Sequence, residues 1–446
     1  MDYYKKKYFV VFLLALIIIG CTKDSSSDNE IKELKISVVG FNTSYNQVKI
    51  NWEVIRPKDV IIQELLIYRS IKNDNYIKEE IIGNLPSNET NFIDENVPYE
   101  SEITYKIKLS YVNQSTNAFQ NLSLESESKK FIREIVKFDR LPFQVQKDPI
   151  HPEIFHILDK EGIGYLKKYN SIQNKIIATK TFTNGGILNN RFHIVNNSEI
   201  YLADTKGKIF KINSNDYITS AIYSTNITDN LNAFAISNDR IYYQDEEVLN
   251  FYTISTALSI SGGIATSADY MEEIGNNNFL FLYSQNGSGM KFFSFTPENC
   301  NSTLCSPGFG ITSIGQNLSY NGVDPNIFTW NSSKTKFITS IDGRVFNISN
   351  LKQEKVLNSI TGKKYFQYAF DNDGNIYATV QGEKKIHKFN SSYELVGVIQ
   401  TKLYPFYPIV SNNKLNVIGG YEPITYWSFE YGYNFNFGVK CAIEML

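Results

Sequence analysis

The stretch "YFQYAFDNDGNIYATVQGEKKIHKFNSSYELVGVIQT", residues 365–401, decides how most of this chain folds. It contains short runs rich in Ile, Val, Phe and Tyr, separated by clusters of Asn, Asp, Gly and Ser. The runs favour β-strands, because branched and aromatic side chains pack well on a pleated surface, and the clusters favour tight turns. The segment therefore predicts four consecutive strands joined by turns.

The same order of strands and turns recurs along the C-terminal part of the chain. An Ile-Tyr pair marks the second strand of the three clearest copies, at Ile200-Tyr201, Ile241-Tyr242 and Ile376-Tyr377. Fainter copies occur at a spacing of roughly 40 residues, near 154–180, 278–296, 327–357 and 405–430. Four-stranded units of this length bury their faces only against one another, so the repeat predicts a β-propeller over residues 135–446. The length favours about seven blades, with six and eight as alternatives.

Residues 370–390 also resemble a known repeat. Their Asp-Asn-Asp-Gly-Asn turn, which precedes the strand beginning at Ile376, is similar to that of NHL-type propeller repeats. This resemblance to NHL/WD40-like propellers implies a fold but no particular ligand, because one fold carries many functions.

Residues 34–133 alternate between apolar and polar side chains, as at Val48, Ile50 and Trp52. Strict alternation buries one face of each strand and exposes the other, which predicts an antiparallel sandwich. The segment resembles a fibronectin type III domain, with Trp52 as the core tryptophan of the second strand and Tyr105 as the candidate tyrosine corner. The expected fold is therefore all-β, with a fibronectin type III-like sandwich followed by a β-propeller.

The N-terminus has the layout of a secretory signal. Three lysines at positions 5–7 precede an apolar run, residues 8–19. This run is shorter than the roughly 20 residues that a membrane-spanning helix needs. Residues 1–20 are therefore expected to be a signal peptide that takes no part in the fold.

The segment Ile18-Ile19-Gly20-Cys21 resembles a bacterial lipobox, although Ile18 stands where Leu is usual. The resemblance implies cleavage before Cys21 and lipidation of its thiol side chain, with palmitate among the acyl chains, which would anchor the protein to the outer membrane. Residues 21–33 are polar and charged after the cysteine, which predicts a flexible tether. Their Lys-Asp and Ser-Ser-Ser-Asp elements resemble surface-export signals of Bacteroidota lipoproteins, and both a periplasmic and a cell-surface location stay open.

The net charge bears on nucleic-acid binding, and the positions of the cysteines bear on disulfide formation. A net charge of −2 and a pI near 6.2 do not suggest the clustered basic face that nucleic-acid binding requires, so no nucleic-acid partner is expected. Cys300 and Cys305 lie in a Pro/Gly/Ser/Asn-rich segment and are expected to form a local disulfide, with free thiols or a metal site as alternatives. Cys441 is expected to be a buried thiol.

Motifs that carry chemistry are scarce. The segment 371–375 resembles the front of a calcium loop but lacks the later ligands, which favours a hairpin turn. The histidines lack the spacing of a helical zinc motif and are expected to be strand or loop residues without a ligand role: His151, His156, His193 and His387. We therefore assign no catalytic residue, no metal ligand and no cofactor.

The last repeat is rich in aromatic residues that could stack on a sugar. The candidates for such a ligand-binding platform are Tyr404, Tyr407, Tyr421 and Trp427. The competing interpretation, which the pattern favours, is that these rings fill the core of the closing repeat.

The sequence favours a cell-envelope lipoprotein that acts as a non-catalytic binding module for a protein, peptide or glycan through its propeller. One alternative is a propeller-type glycoside hydrolase or lyase, whose acids would converge from different repeats. A second alternative is a structural component of an envelope assembly, which would expose an apolar patch. The side chains that converge between the repeats discriminate between binding and catalysis.

Overall fold

The computed structural model is almost entirely β-structure, with one four-residue helix, Asn358–Thr361, among the described residues. It describes residues 33–446 apart from 44–46, 73–76, 116–120, 160–163, 183–187, 189, 226, 228–230, 246–247, 266–267, 276–277, 284–288, 295–311, 314–323, 326, 340, 351, 430–431 and 437. The chain divides into two compact units between Arg133 and Glu134. Within the described part, no helix has the length and apolar character needed to cross a membrane.

In the part of the first unit that the structure describes, the strands form two antiparallel sheets. Its strands are β1 (Lys35–Thr43), β2 (Val48–Ile55), β3 (Val60–Lys72), β4 (Ile77–Leu85), β5 (Asn91–Asp94), β6 (Glu102–Asn113), β7 (Leu122–Glu125) and β8 (Lys129–Ile132). One sheet has the order β1-β2-β5, and the other has the order β4-β3-β6-β7, with β8 also pairing with β6. The core between them draws on alternate residues of both sheets, including Trp52, Leu65 and Ile107. This alternation is the one that the sequence predicts, because a strand with one buried face must place apolar residues two apart.

A charged link ties the end of β5 to the second sheet. The Tyr105 hydroxyl donates to Asp94 Oδ2 at 2.9 Å, and Arg69 Nη1 donates to the same oxygen at 2.7 Å. Arg69 also donates through Nε to Glu80 at 3.0 Å. The buried Asp94 carboxylate is therefore compensated by a cation and a hydroxyl, as a buried charge must be.

The described residues of the second unit form seven four-stranded sheets, numbered here 1 to 7, and the first strand of this unit is the short β9 (Lys137–Phe138). Sheet 1 comprises β10 (Gln144–Lys147), β11 (Ile154–Asp159), β12 (Tyr165–Asn170) and β13 (Lys175–Thr181). Sheet 2 comprises β14 (His193–Val195), β15 (Glu199–Ala203), β16 (Lys208–Asn213) and β17 (Thr219–Ser224). Sheet 3 comprises β18 (Leu231–Ser237), β19 (Arg240–Asp245), β20 (Val248–Thr253) and β21 (Leu258–Ala265).

The remaining sheets continue along the chain. Sheet 4 comprises β22 (Tyr270–Gly275), β23 (Asn278–Tyr283), β24 (Gly289–Ser294) and β25 (Thr312–Ser313). Sheet 5 comprises β26 (Phe328–Trp330), β27 (Lys336–Thr339), β28 (Arg344–Asn347) and β29 (Lys352–Val356). Sheet 6 comprises β30 (Tyr365–Phe370), β31 (Ile376–Val380), β32 (Lys385–Phe389) and β33 (Leu395–Gln400).

Sheet 7 combines strands from both ends of the unit. Its order is β34 (Tyr404–Ser411), β35 (Lys414–Gly420), β38 (Cys441–Met445) and β9, and a separate hairpin, β36 (Tyr426–Phe429) with β37 (Gly432–Phe435), lies between β35 and β38 in sequence. The pairs that join β38 to β9 are Cys441 with Phe138 and Ala442 with Lys137. Cys441 is fully buried there as a free thiol, and burial raises its pKa to about 12.

The first strands of successive sheets contact one another. Such contacts join β14 to β18, β18 to β22, β26 to β30 and β30 to β34. Tyr270 of β22 packs on Phe328 of β26, with ring centroids 4.5 Å apart. A hydrogen bond links sheet 7 to the start of sheet 1: the hydroxyl of Tyr407 in β34 donates to the carbonyl of Phe143, the residue before β10, at 2.6 Å. The first strands therefore lie where successive sheets contact one another, and the apolar faces of neighbouring sheets bury each other.

The outermost strands look different from the inner ones. In β13 and β33 exposed residues alternate with half-buried ones, and Ile177 and Val398 are among the exposed side chains. In sheets 1, 2, 3, 5 and 6 the register shifts between the third and fourth strands. Such bulges increase the local twist and turn an edge strand away from regular pairing.

Candidate functional site

Ionisable side chains from three sheets meet where the first strands converge. His193 begins β14, Tyr270 and Glu272 lie in β22, Trp330 ends β26, and Lys334 lies in the turn between β26 and β27. We call these five residues the first-strand cluster. Apolar and aromatic residues dominate the core of each sheet, so a concentration of charge on and beside the first strands is the feature that most resembles a functional site.

The Glu272 carboxylate is the centre of the first-strand cluster. It accepts a hydrogen bond from the Tyr270 hydroxyl and forms an ion pair with Lys334 Nζ. His193 Nδ1 lies 3.4 Å from Glu272 Oε2. A single carboxylate is thus engaged by a hydroxyl, an ammonium and an imidazole that come from different parts of the chain.

Aromatic rings surround these polar groups. The His193 ring stacks on Tyr270 at a centroid distance of 5.6 Å and meets Phe234 of β18 edge-on at 4.8 Å. Trp330 lies beside the Tyr270 hydroxyl. The rings exclude water and lower the local dielectric constant, which strengthens the electrostatic attraction inside the cluster.

The charges set the protonation states of the cluster. Burial by itself would raise the pKa of Glu272, but Lys334 and His193 more than offset it and hold the pKa well below its usual range. Glu272 in turn raises the pKa of Lys334, and burial raises the pKa of Tyr270. At neutral pH the cluster therefore contains a carboxylate anion, an ammonium cation and a neutral phenol.

A second charged group lies close to the first-strand cluster. The Arg191 guanidinium sits over the Phe328 ring at 4.5 Å and over the Phe143 ring at 5.5 Å. Its charge also acts on Tyr407, as does that of the buried Asp324. The Arg191 guanidinium therefore packs on rings beside sheets 1 and 5, and its charge and that of Asp324 both act on Tyr407 in sheet 7.

A separate buried network joins sheets 1 and 2. His156 Nε2 lies 2.9 Å from Asp148 Oδ2, and His156 Nδ1 lies 2.8 Å from the Tyr217 hydroxyl. Asp148 Oδ1 also accepts the backbone N–H groups of Ile150 and His151. This Asp-His-Tyr array links neighbouring sheets. His156 and Asp148 are shielded from solvent, so a substrate in solution would not reach them.

The structure places the aromatic candidates of the last repeat differently from one another. Tyr407 is buried with its hydroxyl committed to Phe143, and burial raises its pKa to about 12. Tyr404 and Tyr421 are half-buried, with the ammonium groups of Lys384 and Lys137 over their respective rings. The side chain of Trp427 lies outside the described residues, as do Cys21, Cys300 and Cys305. Three expectations therefore stay predictions: sugar binding by the four rings, lipidation of Cys21, and a disulfide between Cys300 and Cys305.

The other residues singled out from the sequence have local roles. Asp371 Oδ1 accepts the backbone N–H groups of Asp373 and Asn375, which is the hydrogen bonding of a hairpin turn. His387 Nδ1 lies 3.0 Å from the Tyr365 hydroxyl in sheet 6, and His151 is exposed. In the described part of the chain, no three His, Cys, Asp or Glu side chains are grouped as metal ligands would be.

Sequence reasoning missed Glu272, Lys334 and Tyr270. The sequence around them carries no motif, and Lys334 lies 62 positions from Glu272. The only available signal is the predicted repeat, which would place β22 and β26 in neighbouring units, but it does not specify which side chains face each other.

No protein-family model matches the sequence, and no curated protein matches it either. Among solved structures, the chain is similar to the one described as "Structure of U3-55K", with a TM-score of 0.46 and 9% sequence identity. That match covers 70% of this chain and 98% of the other chain.

Proposed function

We propose that the second unit is a seven-bladed β-propeller in which each four-stranded sheet is one blade. The contacts between successive first strands support this, together with the return of Tyr407 in sheet 7 to Phe143 beside sheet 1. The pairing of β38 with β9 also supports it, because a closing blade that combines both ends of the chain holds the propeller together.

We further propose that the first unit is a fibronectin type III-like domain. The sheets β1-β2-β5 and β4-β3-β6-β7, with β8 also beside β6, support this, because β7 and β8 pair with different parts of β6 and together take the place of one edge strand in a sandwich of three and four strands. Trp52 on the second strand is buried in the core between the sheets. Tyr105 ties β6 to the end of β5, although its partner is the Asp94 side chain where a tyrosine corner uses backbone.

We infer that the protein is a non-catalytic binding module whose binding face is formed by the first-strand cluster. The observation that carries this proposal is the state of Glu272, whose carboxylate is already engaged by Tyr270, Lys334 and His193. A general acid or base works best with a pKa near the working pH, whereas the pKa of Glu272 is held far below that range. The cluster is therefore better suited to recognising a polar group than to transferring a proton.

Binding and catalysis can be separated with the detergent-solubilised full-length chain. Glycan and peptide arrays would be probed with the parent protein and with Glu272→Gln, and every bound compound would then be incubated with the protein and analysed by mass spectrometry. We expect binding that Glu272→Gln weakens, with the ligand recovered unchanged. Multiple turnovers of a bound glycan or peptide would instead favour the glycosidase or lyase alternative.

We also propose that the protein is anchored to the outer membrane of the cell envelope by lipid at Cys21. The resemblance of residues 18–21 to a lipobox supports this proposal. Replacement of Cys21 with Ala should move the protein from the membrane fraction to the soluble fraction. If the Cys21→Ala protein stays in the membrane fraction after a high-salt wash, the anchor is elsewhere.

A further inference from the structure

The turn that carries Lys334 has a close counterpart in the next sheet. Both turns span five residues between the first and second strands, and both contain a backbone hydrogen bond from the fourth residue to the first. This bond joins Lys334 N to the Asn331 carbonyl in sheet 5 and Gly374 N to the Asp371 carbonyl in sheet 6. The fourth residue has a positive φ in both, 51° at Lys334 and 79° at Gly374. Glycine adopts this conformation freely, whereas a residue with a side chain is strained there.

The position therefore favours glycine, but it holds a residue whose side chain crosses to another sheet. The Lys334 side chain is 46% exposed, while that of Glu272 is only 13% exposed. The ammonium group thus approaches from the solvent side and ends on a carboxylate that is otherwise shielded. The Lys334 side chain thus covers the Glu272 carboxylate on the side that faces the turn.

Without Lys334, the surroundings of Glu272 would attract a cation. Glu273 follows on the same strand, and its charge also acts on Lys334. The charge of Arg191 acts on the Tyr270 hydroxyl but is not among the charges that act most strongly on Glu272. The remaining polar neighbours of the Glu272 carboxylate are the His193 imidazole and the neutral Tyr270 hydroxyl. The withdrawal of Lys334 would therefore leave a carboxylate surrounded by aromatic rings, with a second acid next to it in the chain and no compensating ammonium group.

We propose that Lys334 is an intramolecular occupant of a cation-recognition site, and that the ligand presents a basic group, an ammonium or guanidinium, which replaces Lys334 on Glu272. This inference rests on the proposed binding function of the first-strand cluster and assigns its ligand class. The affinity of the site is reduced by the fraction of molecules in which Lys334 occupies it. A basic peptide is the ligand that this chemistry fits best, because its charged side chains can enter where Lys334 leaves.

The test measures binding of a short fluorescein-labelled oligolysine peptide to the detergent-solubilised full-length chain by fluorescence anisotropy. Lys334→Met removes the competing ammonium, and Lys334→Gly removes it while also relieving the strain of the positive φ. Both variants should bind the peptide about tenfold more tightly than the parent protein, and adding Glu272→Gln should abolish that gain. Lys336→Met is the matched control, since Lys336 lies two residues away and pairs with Glu354 at 3.1 Å.

Different outcomes separate this inference from the proposed function. If Lys334→Gly and Lys336→Met bind the peptide equally, or if Glu272→Gln leaves binding unchanged, the cation site is refuted. Preferential binding of an oligoglutamate peptide that Glu272→Gln removes would refute the ligand class and keep the binding function. Hydrolysis of the peptide by the parent protein would overturn the non-catalytic function itself.

Discussion

His156 Nε2 lies 2.9 Å from Asp148 Oδ2, and the two side chains are 0% and 1% exposed. This pair connects the turn after β10 to the middle of β11, and the Tyr217 hydroxyl extends it into sheet 2. Buried polar groups contribute to a unique structure only when all of them are satisfied, and here both imidazole nitrogens have a partner. The pair therefore stabilises the junction of two sheets.

Removal of the imidazole should be costly. His156→Leu leaves the Asp148 carboxylate buried without its main partner, and the loss of one member of a buried pair costs about 3 kcal/mol. We expect urea denaturation of the full-length chain to show this loss in the free energy of unfolding. His151→Gln is the control, because His151 is exposed, and a cost above about 0.5 kcal/mol there would be unexpected. A stability of His156→Leu equal to that of the parent would show that the network contributes nothing.

Acidic conditions should weaken the same junction. Burial lowers the pKa of His156 below its usual 6.5, although Asp148 partly opposes this, so the unfolded chain takes up a proton first as the pH falls. Burial by itself would raise the pKa of Asp148, but the hydrogen bonds from His156 and two backbone N–H groups lower it to about 2. The stabilisation that the Asp148 carboxylate contributes is therefore lost as the pH falls from 3.8, the usual pKa of Asp, to about 2. Both groups stabilise the fold above their unfolded pKa values and lose that stabilisation as the pH falls.

The measurement is the free energy of unfolding at a series of pH values from neutral to mildly acidic. One proton that only the unfolded chain binds lowers the free energy of unfolding by up to about 1.4 kcal/mol per pH unit below pH 6.5. The dependence of the free energy of unfolding on pH should be weaker in His156→Phe. His387, whose pKa burial also lowers, should account for part of the remaining slope. A free energy of unfolding that rises as the pH falls from 6.5 to 5 would contradict this assignment.

The link between Tyr105 and Asp94 should matter only for the first unit. Tyr105→Phe removes one hydrogen bond to a buried carboxylate, which we expect to cost about 1.5–3 kcal/mol because the acceptor is charged. Hydrogen exchange followed by mass spectrometry should show faster exchange in β5 and β6 and unchanged exchange in sheets 1 to 7. Tyr68→Phe, on the neighbouring strand β3 and half-buried, is the matched control. Equal exchange in the two variants would mean that the hydroxyl of Tyr105 is dispensable.

The strand β9 should hold the last sheet together. Phe138 is 4% exposed and belongs to the largest apolar core, so Phe138→Ala should cost about 3 kcal/mol through lost burial and the cavity left behind. Because β9 pairs with β38, the substitution should increase the hydrogen-exchange rate of the amides of residues 441–445, relative to the parent protein, more than that of the amides in sheets 2 to 4. Ile150→Ala serves as the control, since Ile150 is 52% exposed. Uniformly faster exchange throughout the second unit would indicate a general loss of stability and no special role of β9.

The local features of the fold were accessible from sequence. The all-β class is confirmed, and the Ile-Tyr pairs at 200–201, 241–242 and 376–377 lie in the second strands of sheets 2, 3 and 6. The turn at 371–375 also has the hydrogen bonding that its Asp and Gly residues predict. These features depend on residues close together in the chain, where side-chain shape and alternation act directly on the backbone.

Long-range contacts were not accessible in the same way. Nothing in Lys137 or Phe138 indicates a partner at Cys441, and the sequence near 405–430 predicts a faint last repeat with no sign that β9 belongs to it. The ion pair of Lys334 with Glu272 likewise joins residues from different sheets. Each depends on which sheets become neighbours, and this is decided by packing of whole sheets.

The amino-acid sequence is sufficient to predict that strands and turns alternate at a regular spacing, because the alternation of apolar and polar residues fixes which face of each strand is buried. The meeting of His193, Glu272 and Lys334 follows from the packing of the sheets, because their order in space makes neighbours of residues that are far apart in the chain. In the sequence, the turn that contains Lys334 looks like any polar hairpin turn. Lys334 is important because its side chain reaches the Glu272 carboxylate on the neighbouring sheet.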